Sequence, residues 1–300
     1  MIERIVSWSR FFEGPLAVCT GHMLARAAEL RLPEPLLRLV IKGYGTWFGV
    51  EMTDVLVPSA GFGCFGDFFA RRLRPGARPL CSDPGSVASP CDGEVLERGR
   101  LDADATNRIT IKGTTYSLRD LVGDAGVASA LAGGGYCLLY LHPRDYHRVH
   151  VPMDGTLKGV RHLQGARYPM APWASKLANG ALDKNERVAF DIEIRDDGRR
   201  CVVLMVAAFG VGGIESPYLP LTAFEAGTRS ASPNLAVIRG DELAAFRLGS
   251  TVALLWPPGT VEINPDPRVG ERVVMGQAVG HICTNNSKRS ISNGRLDKPA

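Results

Sequence analysis

Cys201-Val202-Val203-Leu204-Met205-Val206-Ala207-Ala208-Phe209-Gly210-Val211-Gly212-Gly213-Ile214 is a run of 14 uncharged residues, and its reading decides the fold. A helix that crosses a bilayer needs about 18–20 apolar residues. This run is shorter, rich in valine, and broken by Gly210, Gly212 and Gly213. It therefore reads as a buried strand followed by a turn. The segments around it share its texture. Arg108 to Lys112, Tyr136 to Leu141, Val188 to Ile194, Val202 to Val206 and Val252 to Leu255 are short, β-branched and bounded by turn formers. Asp197-Gly198 and Pro258-Gly259 separate them as hairpin and loop signals. Ser117 to Val122 and Ala125 to Ala132 read as short helices. The expected class is α+β, with a mostly antiparallel β domain over residues 61–300.

The first fifty residues differ. Ile5, Val6, Trp8, Phe11 and Phe12 cluster before Pro15; Leu36 to Ile41 follow Pro33 and Pro35, with Arg38 and Lys42 interleaved; Trp47 and Phe48 close the stretch. This helical region, residues 1–60, either covers the β domain or rests an apolar face on a bilayer. Pro75, Pro79, Pro84 and Pro90 mark the change of texture. Before them, Arg71, Arg72 and Arg74 are either a solvated helix end or a basic rim. No signal peptide and no repeat are evident, and the residues from about Asn285 are polar and read as loose.

With 300 residues the chain can bury a core without covalent staples. A net charge of +4 gives no argument for nucleic acid and suits an anionic membrane surface. Seven scattered cysteines without a Cys-x-x-Cys spacing read as reduced thiols, neither a disulfide framework nor a zinc site.

The chemistry concentrates in three places. Phe246-Arg247-Leu248-Gly249-Ser250-Thr251-Val252 sets a hydroxyl directly after a glycine. Glycine lets a nucleophile approach its carbonyl closely. Attack of the Ser250 hydroxyl on Gly249 would turn the amide into an ester. β-Elimination would then cut the chain after Gly249 and leave a dehydroalanine that hydrolyses to a pyruvoyl group. Taken alone, Gly-Ser-Thr reads as a plain turn before a strand, so the case for this chemistry comes from elsewhere in the chain. Ser89-Pro90-Cys91-Asp92-Gly93-Glu94 places an acid between turn residues. Tyr140 to His150 holds three of the six histidines, His142, His147 and His150, and imidazole suits proton transfer near neutral pH. Acid, imidazole and hydroxyl thus follow one another as in a catalytic triad, whose test is geometric. No acidic or thiol cluster beside the histidines completes a metal site.

Tyr-Leu-x-Pro-Arg-Asp-Tyr-His-Arg-Val-His (Tyr140 to His150), Ser-Pro-x-Asp-Gly (Ser89 to Gly93) and Leu-Gly-Ser-Thr (Leu248 to Thr251) together resemble phosphatidylserine decarboxylase proenzymes. Gly66 to Arg74, Asn185 to Val188 and Val211 to Ile214 extend the resemblance, which runs from about Phe62 to Cys283. It implies a chain that cuts itself between Gly249 and Ser250. His150 would act as base, Asp92 would orient it, and Ser250 would be the nucleophile. Residues 250–300 would become a small subunit whose end is the covalent pyruvoyl cofactor. That group would form a Schiff base with phosphatidylserine and accept the electrons released with CO₂. His147 would serve as proton donor in the decarboxylation, which yields phosphatidylethanolamine. A lipid substrate implies a membrane-facing N-terminal region and a peripheral location on the cytoplasmic side of the cell membrane; homo-oligomerisation stays open. The sequence departs from the family at His142, where a small residue is usual, and at Arg167, where a leucine is usual. Competing readings are a pyruvoyl decarboxylase of a soluble amino acid, an uncut serine hydrolase and a membrane-binding module.

Overall fold

The computed structural model describes residues 23–283, except residue 25, 104–107, 112, 167, 169–180, 196, 209–212, 220–228 and 248–249. Residues 1–22, Gly249, Arg167, Val211, Gly212 and the tail from Asn285 therefore lie outside the described residues.

The fold is mostly antiparallel β with a few helices, as the sequence led us to expect. Its centre is a nine-stranded sheet. The strands that matter here are β1 (Gly93–Arg100), β2 (Gly135–Leu141), β3 (Arg148–His150), β4 (Gly155–Leu163), β5 (Arg187–Ile194), β6 (Arg200–Ala207), β7 (Glu242–Phe246) and β8 (Ser250–Trp256). In the large sheet the order is β4-β5-β6-β8-β2-β1, and every neighbouring pair is antiparallel. β3 and β7 belong to a separate three-stranded sheet with Ile214–Glu215.

The valine-rich run shows why this sheet carries so little polar alternation. Successive side chains of a strand point to opposite faces. In β6, Val203, Met205 and Ala207 enter one apolar core, while Val202, Leu204 and Val206 enter another on the opposite face. β8 divides the same way, with Val252, Leu254 and Trp256 on one side and Ala253 and Leu255 on the other. Both faces of the sheet are covered, so both sets of positions must be apolar. Removing a side chain such as Phe190, fully buried on β5, costs about 3–5 kcal/mol.

The short helices follow their caps. Ser117 accepts the amide N–H of Asp120 at the start of Leu118–Val122, and Asp124 accepts that of Val127 at 2.8 Å at the start of Ala125–Leu131. Both pack on the second core. The loop at Asp197-Gly198 joins β5 to β6, and Gly198 holds φ +77°, a conformation that favours glycine.

At the N-terminal end, helix α1 (Glu34–Phe48) starts after Pro33 and stops at Gly49, which takes φ +71°. Leu37 is its one buried residue. Tyr44 pins it down: the hydroxyl donates to the Pro143 carbonyl at 3.1 Å, and the ring packs on Phe65 of helix α2 (Phe65–Phe69). Leu36, Leu39 and Trp47 remain exposed. Among the described residues, no helix is long and apolar enough to cross a membrane. The three arginines of the following segment separate: Arg71 is buried, and Arg72 enters a two-residue strand paired with Val55–Leu56.

Candidate active site

β2 runs down the middle of the large sheet and ends at Leu141, in register with Ser250 at the start of β8. The chain then turns through His142 to His147 into β3. Asp145 fixes that turn. Its Oδ2 accepts the His142 N–H and its own N–H donates to the His142 carbonyl, both at 2.8 Å. Arg272 binds its other carboxylate oxygen at 2.8 Å. β3 pairs with β7, and the Phe246 N–H donates to the His147 carbonyl at 2.9 Å. β7 leads directly into Arg247, Leu248, Gly249 and Ser250. Two motifs about a hundred residues apart in sequence are thereby laid edge to edge.

His147 is fully buried, with its ring 4.0 Å from that of Phe69. Nδ1 lies 2.9 Å from the Asp145 carbonyl. A carbonyl only accepts, so Nδ1 carries the hydrogen and Nε2 carries a lone pair. Nε2 is buried and has no hydrogen-bond partner among the described residues. Burial, and then the nearby Arg71 charge, push the pKa down to about 3. His147 is thus a neutral imidazole with a bare, acceptor nitrogen.

His150 is also held neutral, its pKa lowered chiefly by burial. Nδ1 faces the Gly240 carbonyl at 2.8 Å, so Nε2 must accept from the Tyr146 hydroxyl at 2.9 Å. Asp92 lies in the next segment, and the His150 N–H donates to the Pro90 carbonyl at 2.8 Å. The Asp92 carboxylate itself is taken by Arg78, through Nε at 2.9 Å and Nη2 at 2.7 Å, and by the Met275 N–H at 2.8 Å. Asp92 and His150 are therefore on adjoining segments without a hydrogen bond between them. The negative charge of Asp92 still favours the protonated form of His150.

Ser250 is placed by its backbone between Leu141 of β2 and Ala207 of β6. The next residue, Thr251, has a buried hydroxyl without a partner among the described residues. His142 pairs with Glu94 at 2.9 Å and sets its ring edge-on to Tyr140, half-buried and apart from the other two imidazoles' hydrogen bonds. The Asn185–Val188 motif is architectural: Asn185 donates to the Ala207 carbonyl, and Arg187 to those of Leu121 and Asn185. Among the described residues, no group of three His, Cys, Asp or Glu could hold a metal.

Three participants escape a reading of the sequence. Tyr146 stands inside the histidine motif, so its place there was the available signal. Arg78 and Gly240 carry none, because their roles arise only when distant loops meet.

The sequence profile of the phosphatidylserine decarboxylase family matches residues 65–281. The chain is 34% identical over 283 residues to the phosphatidylserine decarboxylase proenzyme of Anaeromyxobacter sp. (strain K), covering 90% of this chain and 98% of that one. It is 36% identical to the proenzyme of Bordetella bronchiseptica, over 86% of this chain and 89% of the relative. The proenzyme of Marinobacter nauticus is 32% identical, over 94% and 99%. With the family profile matched over residues 65–281 and relatives matched over most of their length, the chain belongs to the phosphatidylserine decarboxylase family of carboxy-lyases.

Proposed function

We propose that this chain is made as a proenzyme, cuts itself between Gly249 and Ser250, and then converts phosphatidylserine to phosphatidylethanolamine and CO₂. The observation that carries the reading is the pairing of β3 with β7, which sets both histidines beside the segment that leads to the scissile bond. In self-cleavage, His150 Nε2 takes the Ser250 hydroxyl proton once it is free of Tyr146. Gly240 holds the ring through Nδ1, and Asp92, fixed by Arg78, adds a negative charge that steadies the imidazolium. The products are a large subunit ending at Gly249 and a small one, residues 250–300.

Among the described residues, His147 Nε2 and Thr251 Oγ1 are buried polar atoms without a partner, which leaves them free to accept or donate to the small carbonyl group this reading places at residue 250. Once formed, that pyruvoyl group supplies the carbonyl for a Schiff base with the substrate amine and a sink for the electrons released with CO₂. With its hydrogen on Nδ1, His147 cannot give a proton from Nε2 before it has gained one. It accepts one from the substrate ammonium and returns it to carbon after CO₂ leaves.

Residues 61–300 form the catalytic domain in this reading. Residues 1–60 face an anionic, phosphatidylserine-bearing membrane, peripherally and on its cytoplasmic side. The support is the exposure of Leu36, Leu39 and Trp47 on α1.

Intact-mass spectrometry tests the scheme. The wild type should give two fragments, the smaller resistant to Edman sequencing because a pyruvoyl end has no amine. Ser250→Ala and His150→Ala should stay as one chain. His147→Ala should cleave but lose about 10²–10⁴-fold in CO₂ release. Normal cleavage of Ser250→Ala would sink the mechanism, and an active, uncut wild type would favour a serine hydrolase.

A further inference from the structure

Beside the histidine segment lies a cleft of about 310 Å³, whose lining includes Phe62, Ala70, Arg71, Arg72 and Arg148. Its charges are unevenly matched. Arg72 and Arg148 both pair with a single carboxylate, that of Glu242, Arg72 at 3.2 Å. Arg71 is 3% exposed, forms no ion pair with any carboxylate among the described residues, and leaves Nε without a partner. Its Nη2 spends its hydrogens on the carbonyls of Arg144 and Asp145, at 2.7 and 2.8 Å. Asp67 and Arg247 also line the cleft and pair with each other, and Arg247 binds Glu29 as well. The other three guanidiniums, against the one carboxylate of Glu242, leave the cleft cationic, and buried cations without a counter-charge are costly.

The cleft adjoins the reaction centre. Arg71 and His147 share the Asp145 carbonyl, and Arg148 follows His147 in the chain. It shares Pro58, Gly61 and Phe62 with a groove of about 670 Å³, mostly apolar, with Leu37 and Ile41 of α1 in its lining beside the charged Glu34, Arg38 and Lys42. An anion-seeking cleft thus lies between the histidines and an apolar groove.

Resting on the reading above that the substrate is phosphatidylserine, we propose that this cleft is the subsite for the lipid's phosphodiester. The diacylglycerol end lies along the groove beside α1. The chemistry of the substrate requires such an order: a single methylene separates the phosphate ester oxygen from the carbon that bears the amine and the carboxylate. The phosphate must therefore sit next to the reacting carbon, with the acyl chains beyond it. Arg72 and Arg148 supply planar, charge-assisted donors for its oxygens. Arg71 stays on its carbonyls and contributes its charge.

Binding to the uncut Ser250→Ala precursor tests this without any decarboxylation. The probe is glycerophosphoserine, the soluble headgroup, measured by calorimetry. Arg72→Gln should weaken it about tenfold and Arg72→Lys should recover most of the loss. The exposed Arg268→Gln should leave it unchanged. L-serine, which lacks the phosphate, should not respond to Arg72→Gln. Undiminished binding in both Arg72→Gln and Arg148→Gln would overturn the subsite, as would no binding to the parent precursor. Displacement by an equal concentration of inorganic phosphate would assign the cleft to free phosphate and overturn the lipid reading of it. Any of these outcomes leaves the self-cleavage scheme intact; conversely, a wild type that releases no CO₂ from phosphatidylserine would overturn that scheme and not the binding result.

Discussion

The Tyr146 hydroxyl occupies the nitrogen of His150 that the proposed self-cleavage needs. A neutral hydrogen bond of this kind is worth about 1 kcal/mol net, so its removal should be felt but not decisive. Tyr146→Phe keeps the ring that stacks on His150 at 5.6 Å and deletes the competing donor. We expect self-cleavage to speed up by roughly fivefold, read from the decay of the uncut chain on a gel. Slower cleavage would mean that Tyr146 aims the imidazole instead of competing for it. The two histidines also differ in what burial does to them. His150 has both nitrogens engaged, whereas His147 has one engaged and one bare. In the proposed scheme that difference suits them to separate steps: one nitrogen must be released, the other only waits for substrate.

At the scale of elements, the site depends on β8 lying tightly between β2 and β6. Gly134, just before β2, shows how tightly: a Cβ there would stand 1.8 Å from the Trp256 carbonyl oxygen and 2.8 Å from that of Leu131. Backbone atoms cannot give way as a side-chain tip can. Gly134→Ala should therefore push β2 from β8 and destabilise the protein by about 1–3 kcal/mol or more, measured as denaturant midpoint. Gly126, inside the short helix Ala125–Leu131, meets nothing closer than the Asp124 Oδ1 at 3.4 Å. Gly126→Ala should be neutral or stabilising, because alanine is the better helix former. Equal losses in the two variants would show that the strand contact is not the cause.

At the scale of the whole molecule, α1 presents Leu36, Leu39 and Trp47 outward, the last 83% exposed. Deleting residues 1–50 is a poor test of what that face does. It would also remove Tyr44 from Pro143, and Glu29 from Arg247, two residues before Gly249. Substituting the outward side chains is cleaner. Leu39→Glu with Trp47→Glu should weaken binding to phosphatidylserine-containing vesicles by tenfold or more, since burial of each side chain contributes about 1.5–3 kcal/mol. Self-cleavage should continue at its usual rate. Undiminished vesicle sedimentation would show that this face does not meet the membrane.

The β-rich class, the strand positions and the capped short helices were legible because local periodicity and turn chemistry dictate them. The valine-rich run could be read as a strand from its length and glycines alone. The motifs carrying Asp92, His147, His150 and Ser250 were legible because each holds its chemistry within a few consecutive residues. Only the tertiary structure decided which partner each group has. Asp92 is bound by Arg78, 14 positions away, and His150 is aimed by Gly240, 90 positions away. No local pattern announces such pairs, since they depend on which loops the antiparallel sheet brings together. The same holds for Arg71: in sequence it is one of three similar arginines, and burial without a carboxylate partner makes it different from the other two.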